Sequence, residues 1–212
     1  MALSIPTVAR AVRPGRWRFT VEQYHRLFEA DAGPEDVRTE LIHGDIYVMA
    51  PIGGEHVRSS LYLVNYLAQQ FGPRALVSAQ NSLQLADDTE VMPDVAVVGP
   101  EVMLRDDPLS PSDVAFIVEI AQSSVRHDRA VKLPLYARSG IPEYWIAVLP
   151  KRQLEVYRDL DAAAGRYRTL QVFEPGGTGS PARWPDVRLD VADIAPAKPP
   201  PRPGEQGTEP GE

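Results

Sequence analysis

The sequence contains no cysteine among its 212 residues. Disulfide bonds and thiolate metal sites are therefore excluded, and the composition is typical of a protein of the reducing cytosol. No stretch of about 18 consecutive apolar residues occurs, and residues 1–15 lack the long apolar run of a signal peptide. We therefore expect a cytoplasmic protein that does not span a membrane.

Lysine is also scarce: Lys132, Lys151 and Lys198 are the only three, and the remaining basic side chains are arginines. With a net charge of −7 at pH 7, the chain lacks the basic excess of proteins that coat nucleic acid by bulk attraction. This balance does not exclude a nuclease, because an acidic metal centre itself lowers the net charge. The scarcity singles out Lys132 as a candidate functional residue.

Several common catalytic signatures are missing. The sequence has no P-loop, no G-x-S-x-G nucleophile motif and no glycine-rich dinucleotide fingerprint. The paired spacings of zinc sites are not found among the four histidines, His25, His43, His56 and His127. Nucleotide-dependent, serine-hydrolase and histidine-based zinc chemistries are therefore disfavoured.

The residues that are present indicate one globular domain. Apolar residues make up 43% of the chain and charged residues 24%, which is ordinary for a folded domain. We predict a domain over residues 17–194, preceded by a flexible segment over 1–16. Proline, glycine and glutamate dominate residues 195–212, so we predict a disordered tail there.

Local patterns predict three elements early in the chain. Thr20 and Gln23 have the capping-box spacing at the start of a short helix. Gly44 favours a tight turn inside a β-hairpin over residues 37–50. Apolar residues recur at intervals of three and four over residues 55–71, which predicts an amphipathic helix that ends at Gly72.

Later segments are almost continuously apolar, namely residues 91–98, 114–120 and 143–149. Strands of this kind are typical of a sheet covered on both faces, as in α/β folds. We expect residues 91–98 to form a single strand. Residues 124–139 favour a helix, which Pro134 should kink because proline lacks the N–H that an α-helix requires.

Two of these strands each contain one acid, Asp94 in the first and Glu119 in the second. An ionised carboxylate in an apolar strand is costly unless it is paired or binds a metal. One interpretation is that each acid caps a helix or pairs with an arginine. The other is a divalent-metal site, because carboxylate oxygens suit Mg²⁺ or Mn²⁺. Lys132 on the following helix favours the second, since its charge suits a phosphate group.

Asp128, Lys132 and Tyr136 are spaced by four residues. An unbroken helix would place these side chains on one side. The expected kink at Pro134 lies between the last two, so Lys132 should follow Asp128 more closely than Tyr136 does. The alternative interpretation of Lys132 is a solvated helix residue.

Five short motifs then show a family resemblance: Glu40-Leu41-Ile42-x-Gly44, Pro93-Asp94, Val118-Glu119-Ile120, Asp128-Arg129-x-x-Lys132-x-x-x-Tyr136 and Glu143-Tyr144-Trp145-Ile146. Over residues 18–193 their order and spacing resemble the Uma family of bacterial restriction-endonuclease-like proteins, within the PD-(D/E)XK nuclease superfamily. The resemblance implies an α/β restriction-endonuclease-like core with a central mixed β-sheet flanked by helices. It also implies a divalent metal and phosphodiester hydrolysis.

The same resemblance implies roles for individual residues. Asp94 and Glu119 would be the metal ligands, Glu40 a further catalytic acid and Lys132 the catalytic lysine. The superfamily pattern places lysine two residues after the acid, but Ala121 stands there, so Lys132 would substitute from the next helix. Where family members tend to have Ser-Pro-Ser-Thr after the acid, this chain has Gln-Ser-Ser-Val.

His56 stands at the start of the predicted helix and resembles a histidine that family members often have there. It is therefore a candidate to approach the substrate phosphate, with Asp128 and Tyr136 as further assisting residues. A lone histidine at a helix start is also common as a surface or capping residue, and this alternative stays open.

The acids and Lys132, together with the family resemblance, predict an endonuclease that uses Mg²⁺ or Mn²⁺ to hydrolyse phosphodiester bonds. The resemblance alone implies DNA as the substrate. The alternative is a catalytically degenerate nuclease fold that binds nucleic acid or regulates, with the acids retained for structure. A homodimer is a further prediction, taken from the superfamily's habit of cutting both DNA strands.

Overall fold

The structure, a computed structural model, describes residues 15–33 and 37–195. The predicted flexible segment over 1–16 and the predicted disordered tail over 195–212 lie almost entirely outside these ranges, so both stay predictions. None of the helices within these ranges is long and apolar enough to cross a membrane.

The first helix, α1 (Val21–Glu29), begins with the predicted capping box. The Thr20 hydroxyl accepts a hydrogen bond from the Gln23 N–H, and the Gln23 side chain accepts one from the Thr20 N–H. These two bonds satisfy backbone donors that have no partner within the helix. The capping-box prediction is confirmed.

The predicted hairpin consists of β1 (Thr39–Ile42) and β2 (Asp45–Val48). His43 and Gly44 connect the strands with positive φ angles of 51° and 77°. Two consecutive positive φ angles match the twist of antiparallel strands, which is why glycine is favoured here. All four residues of β1 are buried, so this strand can carry a functional side chain into the interior.

The long helix α2 (Gly54–Phe71) confirms the predicted amphipathic helix. Its inner face buries Leu63, Leu67 and Phe71 against the main sheet. Gly72 ends the helix with a φ of 52°, a conformation that glycine adopts without steric cost.

The rest of the described chain alternates strands with short helices. The strands are β3 (Leu76–Ser78), β4 (Leu83–Ala86), β5 (Thr89–Val91), β6 (Val95–Val98), β7 (Val114–Ala121), β8 (Tyr144–Val148), β9 (Gln153–Asp161), β10 (Arg166–Phe173), β11 (Thr178–Gly179) and β12 (Leu189–Asp190). The helical segments are α3 (Val125–His127), a π-helical turn (Asp128–Lys132), α4 (Leu133–Arg138) and α5 (Val191–Ile194), with 3₁₀ turns at Gly72–Arg74, Pro100–Leu104, Pro111–Asp113 and Leu149–Lys151.

The strands form one large sheet and one smaller sheet. The large sheet has six strands in the order β10-β9-β8-β7-β6-β3. Its β7–β8 pair is parallel and its other pairs are antiparallel, so the predicted central mixed sheet is confirmed. The smaller sheet has four antiparallel strands in the order β2-β1-β5-β4, and β11 pairs with β12 separately.

The prediction of a single strand over residues 91–98 is wrong. The structure divides this stretch into β5, which belongs to the smaller sheet, and β6, which belongs to the large sheet. Pro93 lies between them and has no N–H to donate to a strand partner, so the ladder cannot continue through it. Residues 92–94 therefore form the link between the two sheets.

The segment between β7 and β8 contains the predicted helix, interrupted by a π-helical turn. The Leu133 N–H donates to the Asp128 carbonyl, five residues earlier, directly before Pro134. The wider turn accommodates a proline that cannot make the normal bond to residue 130. The predicted disturbance at Pro134 is thus present as a π-turn within a helical run that ends at Arg138.

Apolar side chains cover both faces of the large sheet. On one face α2 and α5 pack over Phe116 and Trp145. On the other face α4 packs over Ile117 and Ile146. The prediction of a sheet covered on both faces is confirmed, and the alternation along β7 places Glu119 on the face that α4 covers.

Candidate active site

Two acids face each other on neighbouring strands of the large sheet. Glu119 lies within β7, and Asp94 directly precedes β6. The antiparallel register pairs Val95 with Val118, and its continuation by one residue places Asp94 opposite Glu119. The Asp94 N–H donates to Glu119 Oε2 at 3.3 Å. The two carboxylates predicted as metal ligands are therefore adjacent, and both are buried.

A third carboxylate enters from the smaller sheet. Glu40 lies in β1, and its Oε1 accepts a hydrogen bond of 3.0 Å from the Met92 N–H, in the link between the two sheets. Its second oxygen, Oε2, is buried and has no hydrogen-bond partner among residues 15–33 and 37–195. Such an oxygen is costly to bury and is suited to accept a further ligand.

Lys132 forms ion pairs with one acid from each of the two sheets. Its Nζ donates to Glu40 Oε1 at 3.0 Å and to Glu119 Oε1 at 2.9 Å. Only 3% of the lysine side chain is exposed, so the interpretation of Lys132 as a solvated helix residue is wrong. Tyr136, one turn further on, donates its hydroxyl to the same Glu119 oxygen at 2.8 Å.

Asp128 is also buried and lines the same pocket as Lys132. The Ser124 hydroxyl donates to its Oδ2 at 2.7 Å. The spacing of four residues thus brings Asp128, Lys132 and Tyr136 to one region despite Pro134. The π-turn keeps the helical run intact, so Tyr136 reaches the site as Lys132 does.

His56 lies beside Asp94 near the start of α2. Its Nε2 is 3.0 Å from Asp94 Oδ2, and the Ile120 N–H donates to the same oxygen at 2.8 Å. The histidine is buried, so the interpretation as a surface residue is wrong. The structure thus brings all seven predicted site residues together, with the roles assigned to them still predictions.

Comparison with known protein families gives one decisive match. A family with the description "Putative restriction endonuclease", Uma2, matches residues 21–192. The chain belongs to the Uma2 family. The motifs that carried the resemblance all fall inside the matched range, as does every side chain of the site just described.

A solved structure supports the fold of this Uma2 chain. It is described as a putative nuclease belonging to DUF820 from Anabaena variabilis ATCC 29413, and it is similar at a TM-score of 0.65. The two share 17% sequence identity, and the match covers 83% of this chain and 97% of the other. A comparison with curated proteins gave no match. At this identity the likeness shows the fold, and the family match carries the nuclease class.

The acids of the Uma2 site differ in their affinity for protons. Burial raises the pKa of Glu119 above its ordinary value, and the neighbouring Asp94 charge adds to this, although Lys132 acts against it. Burial also raises the pKa of Asp128. Burial would raise the pKa of Asp94 as well, but hydrogen bonds from His56 and the Ile120 N–H lower it below its ordinary value. Of these three acids, Asp94 is therefore the one that most readily stays ionised.

Lys132 is held in its charged form. Burial would lower the pKa of its ammonium group, but the charges of Glu119, Glu40 and Asp128 outweigh that effect and raise the pKa. A buried cation among three acids offsets part of their mutual repulsion.

The residues fit a hard divalent cation. Asp94 and Glu119 offer carboxylate oxygens from neighbouring strands, and Glu40 Oε2 is a buried oxygen without a partner. Within the described ranges no three acidic or histidine side chains converge as a complete metal cage. Mg²⁺ commonly needs only one or two carboxylates, because waters and substrate phosphates supply the other ligands. The Asp94–Glu119 pair therefore meets this requirement.

The pocket around these groups also includes Arg38, which sequence reasoning missed. It further includes Gln122, Ser123 and Ser124, which the sequence marked only as a departure from the family pattern. They lie in loops or next to strand ends, where no periodic pattern marks them. One signal was available in Gly53, where a Cβ atom would lie 2.5 Å from Gln122 Oε1. The glycine thus leaves space for the terminal amide of Gln122 beside the start of α2.

Proposed function

We propose that this Uma2 protein is an endonuclease that uses Mg²⁺ or Mn²⁺ to hydrolyse DNA phosphodiester bonds. The observation that carries the proposal is the adjacent pair Asp94 and Glu119 on neighbouring strands, with the Lys132 ammonium 2.9 Å from Glu119. Paired carboxylates and a nearby cation are the groups that metal-assisted phosphodiester hydrolysis requires. The family's description supports the choice of DNA.

Each residue has a defined task in this proposal. Asp94 and Glu119 would hold the cation, which when bound would lower the pKa of a water and offset charge at the phosphate. Lys132 presents a fixed positive charge at the floor of the pocket, where a phosphate oxygen would gain from it. Glu40 and Tyr136 hold Lys132 and Glu119 in place by the hydrogen bonds described above.

The experiment is cleavage of supercoiled plasmid and single-stranded DNA by the purified protein with Mg²⁺, Mn²⁺ or EDTA. Asp94→Asn and Glu119→Gln should each lower metal-dependent cleavage at least 100-fold, because each removes a cation ligand. Asp113→Asn is the matched control, since Asp113 is a buried acid that does not line the pocket. Full cleavage by Asp94→Asn would show that the proposed centre is wrong.

A second candidate is a degenerate nuclease fold that binds nucleic acid or regulates. The observation in its favour is that Lys132 already supplies a counter-charge to Glu40 and Glu119 without a metal. Binding of Mn²⁺ distinguishes the two candidates. A wild-type protein that binds Mn²⁺ no better than Asp94→Asn, and cleaves no substrate, would favour the degenerate fold.

We also propose that the protein is a homodimer that pairs through β10. This strand is the edge of the large sheet, and its sequence has no proline or lysine to block pairing. Leu170 and Val172 are exposed on it. An antiparallel pairing centred between residues 169 and 170 would place Arg166 opposite Phe173 and Arg168 opposite Gln171, so no like charges would meet.

A further inference from the structure

His56 has no assigned role in the hydrolysis, yet it makes the only side-chain hydrogen bond to Asp94 found in the described part of the chain. Both groups are about nine-tenths buried, with 10% and 11% of their side chains exposed. A buried imidazole that contacts a carboxylate at the centre of a site either packs passively or fixes the carboxylate. The hydrogen-bond pattern distinguishes these two roles.

The proton of this hydrogen bond lies on His56. Asp94 Oδ2 already accepts the Ile120 N–H, and a carboxylate that serves as a cation ligand is ionised and can only accept. His56 Nε2 is therefore the donor to Asp94 Oδ2, at 3.0 Å. A charge-assisted hydrogen bond of this kind is stronger than one between neutral groups.

Both donors to Asp94 meet the same oxygen. His56 Nε2 and the Ile120 N–H are 3.0 Å and 2.8 Å from Oδ2, and within the described ranges no protein hydrogen bond reaches Oδ1. Two donors on one oxygen fix the rotation of the carboxylate. The other oxygen is thereby left for a ligand outside the protein chain.

The backbone bond alone would not fix this rotation. Ile120 belongs to β7 and constrains one direction, whereas His56 belongs to α2 and reaches Asp94 from a different element. The strand and the helix together define the orientation of the carboxylate plane. Removal of the imidazole would free Asp94 to turn about the remaining bond.

We propose that His56 is a positioning residue that holds Asp94 with Oδ1 turned toward the divalent cation. This inference rests on the proposed function, because it assumes that Asp94 is a cation ligand. It assigns to His56 an action through Asp94 in place of the direct phosphate contact that the sequence suggested. Outer partners of metal-binding side chains commonly contribute 10- to 100-fold to metal affinity.

The test is titration of the purified full chain with Mn²⁺ alone, followed by calorimetry or by the paramagnetic resonance signal of free Mn²⁺. His56→Leu fills a similar volume but removes the hydrogen-bond donor to Asp94. It should weaken Mn²⁺ binding about tenfold or more. His56→Gln places an amide N–H near the position of Nε2, and should restore affinity to within about threefold of wild type.

Ser59→Ala is the matched control, because Ser59 is buried one turn further along α2 and its hydroxyl has no partner among the described residues. It should bind Mn²⁺ as wild type does. Circular dichroism at the titration temperature, followed by thermal unfolding, establishes that each variant is folded under the conditions of the titration.

The outcomes separate this inference from the function on which it rests. Loss of Mn²⁺ binding in Asp94→Asn, together with wild-type affinity in His56→Leu, would overturn the role of His56 alone. Equal weakness of His56→Gln and His56→Leu would also overturn it, because the donor would then be irrelevant. Wild-type affinity in Asp94→Asn, or no Mn²⁺ binding by wild type, would overturn the metal centre itself.

Discussion

Lys132 is the residue on which the arrangement of the buried acids depends. Its ammonium contacts Glu40 and Glu119, which come from different sheets. Without that cation the interior would hold adjacent carboxylates whose charges repel. The cluster is therefore stable only as a unit, and a substitution of one member changes the energy of the others.

Tyr136 and Tyr144 allow a direct test of how the site contributes to stability. Both are fully buried on neighbouring elements, and their rings lie 5.0 Å apart. The Tyr136 hydroxyl donates to Glu119, whereas the Tyr144 hydroxyl is buried without a partner among the described residues. Tyr136→Phe should lower the free energy of unfolding by about 1–2 kcal/mol, because it removes a satisfied buried bond.

Tyr144→Phe is the matched change at a comparable depth, and it should leave the free energy of unfolding unchanged or raise it by up to about 1 kcal/mol. Urea unfolding of both variants at pH 7 measures the difference. Equal destabilisation by the two substitutions would contradict the hydrogen bond between Tyr136 and Glu119.

At the scale of elements, the π-helical turn is attached to the sheet by an ion pair. Arg129 in the turn donates through Nε to Glu155 Oε2 of β9 at 3.0 Å, with a second contact through its terminal nitrogen. The Tyr157 hydroxyl donates to the same carboxylate at 2.7 Å. This attachment holds the segment that carries Lys132 against the large sheet.

The ion pair predicts a pH dependence of stability. Burial would raise the pKa of Glu155, but Arg129 and Tyr157 outweigh it and hold the pKa below the ordinary 4.5. Because the unfolded chain binds this proton more readily, the stabilisation is complete above about pH 4.5 and is lost as the pH falls through the lower folded value.

Glu155→Gln should therefore lower the free energy of unfolding by about 1–3 kcal/mol at pH 7, and by progressively less as the pH falls below 4.5. Thermal unfolding of wild type and variant at pH values from about 3 to about 7 tests this. Glu174→Gln alters an exposed acid and should show no such trend. A constant difference across the range would contradict the low pKa of Glu155.

The elements also show how far sequence reasoning extends. The capping box of α1, the turn at Gly44 and the period of α2 are local signals, and the structure agrees with each. The division of residues 91–98 into β5 and β6 was missed, because valine-rich sequence favours a strand in either sheet. Only the partner strands decide where each half belongs.

The residues of the candidate site also divide into those marked by local sequence signals and those placed by tertiary packing. Asp94, Glu119 and Lys132 were recognisable because charged residues are rare in apolar strands and lysine is rare in this chain. The contact between His56 and Asp94 spans 38 residues, and no sequence period encodes it. Whether His56 would touch a substrate or another side chain depended on the packing of α2 against the sheet.

At the scale of the whole molecule, the open edge of the large sheet at β10 predicts a homodimer. Leu170→Lys combined with Val172→Lys places two charges on the exposed edge and should prevent pairing. Light scattering at increasing concentration should give twice the 23.4 kDa chain mass for wild type and the single mass for the variant.

Met103→Lys is the control for this pair, because Met103 is exposed but lies outside β10, in the 3₁₀ turn after β6. It should remain dimeric. A wild-type mass of 23.4 kDa at all concentrations would contradict the homodimer. A double variant that stays dimeric would place the interface elsewhere.

The ion pairs between Lys132 and acids of both sheets can form only late in synthesis of the chain. Glu40, Asp94 and Glu119 all leave the ribosome before Lys132, which follows Glu40 by 92 residues. A chain interrupted before residue 132 therefore holds three acids and no ammonium to neutralise them. Such a fragment lacks the cation that offsets the charge of these acids, so an incomplete polypeptide would be left without the buried cluster.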